Sequence, residues 1–307
     1  MSLAALHVEA FSDRAGAGNG AAVVRLETAA DDAWLQAVAA SLRQSETAFL
    51  LRDGERWLLR WFTPSCEVPL CGHATLAALL ALGHWKLVEP GRELALHSRS
   101  GPLTVRLLRP PVGGRAGLGE ISLPAAALQE AAAPAALEAL LQRRLATGSE
   151  AFWRSALGYT AALMPTWADL GALAGLAPEL PEDLRDGLVV MQPLLPGGAG
   201  PQVAGEPADY QLRFFAPGLG IPEDPVTGSA HALVAPWWME RLGRRRVVGW
   251  QCSDRPGGMV CEAASSATIR LIGSGCLLWH GTLLARPRPC DAASAASAAW
   301  HGLLCAD

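Results

Sequence analysis

The sequence predicts an α+β protein built from two similar units, each a mostly antiparallel sheet with one long apolar helix. Three observations carry the prediction. One pattern is written twice: Arg60-Trp61-Phe62-Thr63-Pro64 is followed by Glu67 and Gly72-His73-Ala74, and Arg213-Phe214-Phe215-Ala216-Pro217 by Glu223 and Gly228-Ser229-Ala230. In both copies the glycine stands five residues after the glutamate, and an apolar, helix-forming run begins at once. The strand segments follow one another in hairpin style, without the strict β-α-β-α alternation of a doubly wound fold. Finally, 307 residues of which 50% are hydrophobic suit two domains with a core each.

The elements follow in order. Leu3 to Phe11 reads as a strand, and Ala21 to Leu26 as a second after the Gly16–Gly20 turn. Asp31-Asp32 can cap a helix to about Arg43, with Trp34, Leu35, Val38 and Leu42 on one face. Ala48 to Leu51 and Trp57 to Phe62 form a hairpin across Asp53-Gly54. The first long helix runs from about His73 to Trp85, and Leu94 to His97 and Leu103 to Leu108 are strands. The Pro- and Gly-rich stretch Pro110 to Gly119 is the expected domain boundary. This gives an N-terminal lobe over 1–115, a C-terminal lobe over 116–285, and a tail over 286–307 packed on either lobe. In the second half, strands are expected at Ile121 to Leu123, 159–163, 187–191 and Tyr210 to Phe215. Helices are expected around 134–145, 167–175 and Ser229 to Leu242, with a loop from Pro193 to Pro207. Val247–Gln251, Met259–Ala263, Thr268–Leu271 and Leu277–Leu284 finish as strands, and a short helix is expected beyond about Ala292.

Composition narrows the function class. A net charge of -4 and the lack of a basic run argue against a nucleic-acid partner. The longest uncharged apolar run, roughly Val68 to Trp85, holds two His and two Gly and reads as a buried helix rather than a membrane span. The N-terminus shows no secretory signal pattern. The seven cysteines (Cys66, Cys71, Cys252, Cys261, Cys276, Cys290 and Cys305) are odd in number and contain no C-x-x-C pair. Reduced thiols in a cytoplasmic protein are expected, rather than a disulfide framework or a zinc knuckle.

The doubled helix start is the first candidate site. Free backbone N–H groups and the macrodipole make a helix N-terminus a seat for anions, and Gly72 and Gly228 allow close approach. A single such glycine is an ordinary turn residue before a core helix. Two matched copies with matched upstream glutamates point to a shared carboxylate seat. His73, at the first helix start, is expected to be held neutral by the dipole or else to serve in capping or packing. Asp224 is a capping acid, a ligand group or a partner of His73. Cys71 precedes Gly72, where a helix start would lower a thiol pKa and make it a base. The second copy offers no matching thiol. Glu46, in Gln44-Ser45-Glu46-Thr47, reads on its own as a turn or capping carboxylate.

Taken together, these residues resemble the signatures of the phenazine-biosynthesis PhzF-like family. The resemblance rests on Arg60 to Pro64, on Glu67 with Cys71-Gly72-His73-Ala74-Thr75, and on Glu223-Asp224-Pro225-Val226-Thr227-Gly228-Ser229-Ala230-His231. Ser45-Glu46-Thr47-Ala48-Phe49 and Gly18-Asn19 fall where the family has its Ser-Glu-Thr and Gly-Asn-Pro motifs. The match extends from Val8-Glu9-Ala10-Phe11 to about Leu284. It implies a diaminopimelate epimerase-like fold: two similar lobes, each a curled, mostly antiparallel sheet around a central helix, with the site in the inter-lobe cleft. It further implies Glu46 as general acid/base, His73, Asp224 and Ser229 as polar groups around the substrate, Asn19 among the binding residues, and backbone N–H groups of Gly72, His73, Gly228 and Ser229 on a carboxylate. No metal or organic cofactor and a homodimer are implied as well. Two positions depart from the family pattern. Gly20 replaces the proline of Gly-Asn-Pro, and Pro256 is extra in Gln251-Cys252-Ser253-Asp254-Arg255-Pro256-Gly257-Gly258.

The expected activity is therefore a cofactor-free isomerase. It would move a proton on a small carboxylic acid by a single glutamate, Glu46, whose pKa burial would raise. The alternatives are an amino-acid racemase or epimerase using Cys71 with Glu46, and a non-catalytic protein that binds small acids. No nucleic-acid or membrane partner is expected.

Overall fold

A computed structural model of the chain describes residues 2–195, 197, 200–287, 298–300 and 302–304. The chain forms two compact units: unit 1 comprises Met1–Ser122 and Gly273–Asp307, and unit 2 comprises Leu123–Ile272.

Unit 1 contains β1 (Leu3–Ala10), β2 (Asn19–Leu26), α1 (Asp32–Leu42), β3 (Glu46–Asp53), β4 (Arg56–Phe62), β5 (Glu67–Val68), α2 (Gly72–His84), β6 (Glu93–Ser98), β7 (Gly101–Arg109) and β8 (Gly117–Pro124). β1 pairs antiparallel with β2, β2 parallel with β3, β3 antiparallel with β4, β4 parallel with β6, and β6 and β7 antiparallel with their successors. The parallel steps fall where α1 and α2 supply the crossovers. Asp31 caps α1 through its carboxylate on the Trp34 N–H, and Arg43 closes it in the left-handed conformation. α2 is apolar on every side, and every residue from His73 to Gly83 is buried. It packs on β1, β2, β3 and β7. Burying each of Leu76, Leu79, Leu80 and Leu82 is worth roughly 1.5–3 kcal/mol, which fixes this helix as the axis of the unit. The sheet comes so close that a Cβ on Gly119 would lie 2.8 Å from Leu79 and 2.9 Å from Leu76.

Unit 2 contains β9 (Leu128–Glu130), α3 (Ala135–Leu145), β10 (Ala151–Ser155), β11 (Thr160–Leu163), β12 (Leu188–Pro193), the small hairpin β13 (Gln202–Val203) and β14 (Glu206–Pro207), β15 (Tyr210–Ala216), β16 (Ile221–Asp224), α4 (Gly228–Leu242), β17 (Arg246–Gln251), β18 (Gly257–Ala263) and the first part of β19 (Thr268–Leu283). β15 pairs antiparallel with β12 and β16 and parallel with β17. α4 packs on β9, β17 and β18. Leu137, Leu141, Phe152, Leu170, Val190 and Phe215 centre a second core.

Several expectations need correction. Pro110 to Gly119 is not a domain boundary. It is the turn between β7 and β8, closed by a Val112–Arg115 bridge with Gly113 and Gly114 at positive φ, and the units part at Ser122 and Leu123. Nor does 116–285 stay in one unit. β19 pairs with β18 up to Ile272, and its continuation pairs with β1 from Gly275 to Leu283, in unit 1. The stretch 167–175 is no α-helix: Asp169 caps a short 3-10 turn, Leu170–Leu173, and Gly171 and Gly175 disfavour a longer one. Trp300 packs into the unit 1 core and donates its indole N–H to the Ala30 carbonyl at 3.0 Å, which places this part of the tail on unit 1. Of the helix expected beyond Ala292, residues 292–297 lie outside the described residues, as do Cys290 and Cys305.

Candidate functional site

In unit 1 the predicted residues Asn19, Glu46, Gly72 and His73 come together with Ser45 and Cys71. Asn19 opens β2 and Glu46 opens β3; these strands run parallel, with Ala21 opposite Glu46, so both residues stand at the same sheet end. α2 begins at Gly72, and its N-cap residue Cys71 makes no side-chain capping bond. His73 Nε2 lies 2.9 Å from Glu46 Oε2, and Cys71 Sγ lies 3.5 Å from His73 Nδ1. The Ser45 hydroxyl reaches three groups: the Gly20 carbonyl at 2.8 Å, Asn19 Oδ1 at 3.1 Å and His73 Nε2 at 3.2 Å. Glu46, Cys71 and His73 are each less than a tenth exposed.

This proximity reverses three electrostatic expectations. Burial pushes the Glu46 carboxyl up, but the His73 charge and hydrogen bonds from His73, Ser45 and Cys71 outweigh it and hold the group below its ordinary value. Burial likewise opposes a charged His73, yet Cys71 and the Glu46 carboxylate raise its pKa well above the ordinary value. The balance favours the charged imidazole over the neutral ring that the helix dipole alone would favour. The Cys71 thiol is pushed up to about 11 by burial and by the Glu46 charge, which overrides the helix start.

In unit 2, Asp224 ends β16 and Gly228 and Ser229 open α4, whose N-cap residue Thr227 also makes no side-chain capping bond to the helix. Asp224 Oδ2 accepts the Thr227 hydroxyl at 2.5 Å, so Asp224 braces the turn that precedes the helix. Gln251 clamps that turn. Its Oε1 accepts the Thr227 N–H at 2.8 Å, and its Nε2 donates to the Asp224 carbonyl at 2.6 Å. Ser253 donates to the Pro225 carbonyl at 2.8 Å. The sequence marks no role for Ser45 or Gln251, although both stand inside the family motifs. Ser45 neighbours Glu46, and Gln251 heads the late motif.

The matched glutamates prove to be structural. Arg60 grips Glu67 with two bonds of 2.7 and 2.8 Å, and Arg213 grips Glu223 with two of 2.7 and 2.6 Å. Both arginines are almost fully buried, and each guanidinium lies over the phenylalanine two residues on, Phe62 or Phe215. Such planar forks join each strand to the segment that leads into the following helix.

The two departures from the motifs also have local causes. A Cβ on Gly20 would stand 2.6 Å from His7 Nε2 and 3.2 Å from Gln44 Oε1, so the imidazole of β1 fills the space that a proline ring would need. Pro256 sits in the turn between β17 and β18, outside the ladder that pairs Gln251 with Gly257. The clamp residue Gln251 therefore keeps its place.

Comparison with known proteins identifies the family and the fold. Residues 8–281 match the family described as phenazine biosynthesis-like protein (PhzC-PhzF). An uncharacterized isomerase of Pseudomonas aeruginosa is 37% identical over 92% of this chain and 99% of its own. A crystal structure of a PhzF-family phenazine biosynthesis protein from Enterococcus faecalis superposes with a TM-score of 0.73 at 29% identity, over 93% of this chain and all of its own (100%). A predicted epimerase from Pseudomonas aeruginosa shares the fold at a TM-score of 0.66 and 24% identity, over 92% of this chain and 100% of that one. The chain belongs to the phenazine biosynthesis-like PhzC-PhzF family, and with it to the PhzF-like isomerases.

Proposed function

We propose that this isomerase works without a cofactor, shifting a proton between two carbons of a small carboxylic acid with Glu46 as the acid/base. The observation that carries the reading is the buried Glu46–His73 pair. A carboxylate held below its ordinary value 2.9 Å from His73 is ionised at neutral pH and free to accept a proton, and the imidazole stabilises its charge. The backbone N–H groups of Gly72 and His73 in unit 1, and of Gly228 and Ser229 in unit 2, are the proposed carboxylate donors, since neither helix start is capped by its own N-cap side chain. Asn19 and Asp224 belong to the proposed site. Asp224 acts there by holding the α4 start in shape. In the racemase alternative Cys71, a thiol pushed up to about 11, would be the proton donor and Glu46 the base, and full activity in Cys71→Ala would remove that reading.

A cytoplasmic homodimer is proposed with this activity. Among the described residues no helix is long and apolar enough to cross a membrane. The exposed Leu278 and Trp279 on β19 are the surface offered for the dimer, to be checked by light scattering of wild type against Trp279→Ser.

The deciding experiment screens a library of small acids for deuterium uptake in heavy water. Glu46→Gln should abolish uptake into any substrate found while leaving its binding intact. Undiminished exchange in that variant removes Glu46 as the base. Tight binding of acids without exchange in the wild type supports the non-catalytic alternative instead.

A further inference from the structure

We propose that Glu46, Cys71 and His73 also form a capture site for a thiophilic divalent transition metal, zinc foremost, and that capture turns the acid/base off. One carboxylate oxygen, the thiol sulfur and an imidazole nitrogen lie within 4.8 Å of one another, and all three side chains are buried. The carboxylate stands at Nε2 of the imidazole, and the sulfur lies beside the ring, 3.5 Å from Nδ1. His73 Nε2 is 2.9 Å from Glu46 Oε2 and 3.9 Å from Cys71 Sγ. Ligand atoms bonded to zinc at about 2.0–2.3 Å stand roughly 3–4 Å from each other, so the carboxylate and the imidazole already have that spacing, and a turn of the Cys71 side chain toward Nε2 completes the set. Three protein ligands of mixed sulfur, nitrogen and oxygen type leave a fourth position open, and the sulfur selects zinc over magnesium or calcium.

The supports are rigid. Cys71 and His73 are tied through the first turn of α2, where the Thr75 N–H and hydroxyl both donate to the Cys71 carbonyl at 3.1 and 2.5 Å; the Ser45 hydroxyl, 3.2 Å from His73 Nε2, would turn away to its Gly20 and Asn19 partners as the ion enters. Binding involves no redox change. Zinc forms bonds to sulfur, nitrogen and oxygen, and the thiol proton and one imidazolium proton leave to solvent, so the net charge of the buried group is unchanged. The carboxylate lone pair that would take a substrate proton is then committed to the metal. This last step rests on the function proposed above, whereas metal capture does not.

The test uses tag-free full-length protein. Titration with cobalt(II) should give a thiolate-to-cobalt charge-transfer band saturating at one ion per chain. The band should vanish in Cys71→Ser and persist in Cys66→Ala, whose thiol is exposed elsewhere. Zinc, competed against a chromophoric chelator, should bind roughly 100-fold more weakly to Cys71→Ser and to His73→Gln, with circular dichroism confirming that both variants fold. A wild-type protein without the band, or a band undiminished in Cys71→Ser, overturns the capture site. Once a substrate is found, exchange unaffected by saturating zinc overturns the switch alone. A band without any exchange activity leaves the capture site standing and overturns the isomerase mechanism.

Discussion

His73 Nε2 and Glu46 Oε2 stand 2.9 Å apart at the starts of α2 and β3, and each sets the charge of the other. Removing the imidazole should therefore change how Glu46 titrates as well as what the site binds. In His73→Gln the carboxyl loses a positive neighbour while keeping its burial, so its pKa rises. The acid limb of the deuterium-exchange profile should move to higher pH by roughly one unit or more. A lower rate with an unshifted limb would show that His73 acts in another way.

The same pair makes stability depend on pH at both ends. Glu46 is depressed from 4.5, so its contribution is complete above that value and fades as pH falls through the lower folded value. His73 is raised from 6.5, so its contribution is complete below that value and fades as pH rises through the higher folded value. Urea denaturation should show wild type most stable relative to Glu46→Gln between these limits, with the advantage extending above pH 6.5 and shrinking in strong acid and in base.

The arginine forks should carry much of the rigidity of each unit. Arg213→Ala leaves Glu223 without its partner, and a loss of roughly 3–5 kcal/mol is expected; Arg60→Ala should cost less, because Glu67 keeps Arg99 at 2.8 Å. Replacing both members of a pair with apolar residues of similar volume should cost less. Chemical denaturation of the single and paired variants measures the difference.

Gly20 and His7 should behave as a coupled pair. Gly20→Ala drives a methyl group against a buried imidazole, and a cost of roughly 1–3 kcal/mol follows. His7→Ala should remove most of that penalty. A double-mutant cycle showing purely additive costs would rule out the contact as the reason for glycine here.

Much of this molecule was legible in its residues. The α2 and α4 helices, the β3–β4 hairpin and both helix starts follow from apolar runs, turn residues and the doubled pattern. The role of the matched glutamates is not legible from spacing alone, because a carboxylate in a buried arginine fork and one on the surface leave the same trace in the sequence. Pro110 to Gly119 looked like a linker because a tight turn and a domain junction use the same Gly and Pro chemistry.

The protonation states lay beyond reach for a different reason. The helix dipole acting on His73 and Cys71 can be read from local sequence, whereas Glu46 approaches them only through the pairing of β3 with its neighbours. A full charge at 2.9 Å outweighs the partial charge of a helix end. Ser45 and Gln251 were hidden similarly, since their partners lie between 24 and 28 residues away along the chain.

Each fork also bears on how the chain breathes. A strand residue clasped to the carboxylate five positions before a helix start leaves little freedom for the first helical turn to fray by itself. Detaching that turn would mean breaking a buried guanidinium pair, a cost on the scale of unfolding a large part of the unit. The first hydrogen-bonded amides of α2 and α4, those of Thr75 and His231, should thus exchange their hydrogens as slowly as the core, although helix ends are usually where a fold comes loose first.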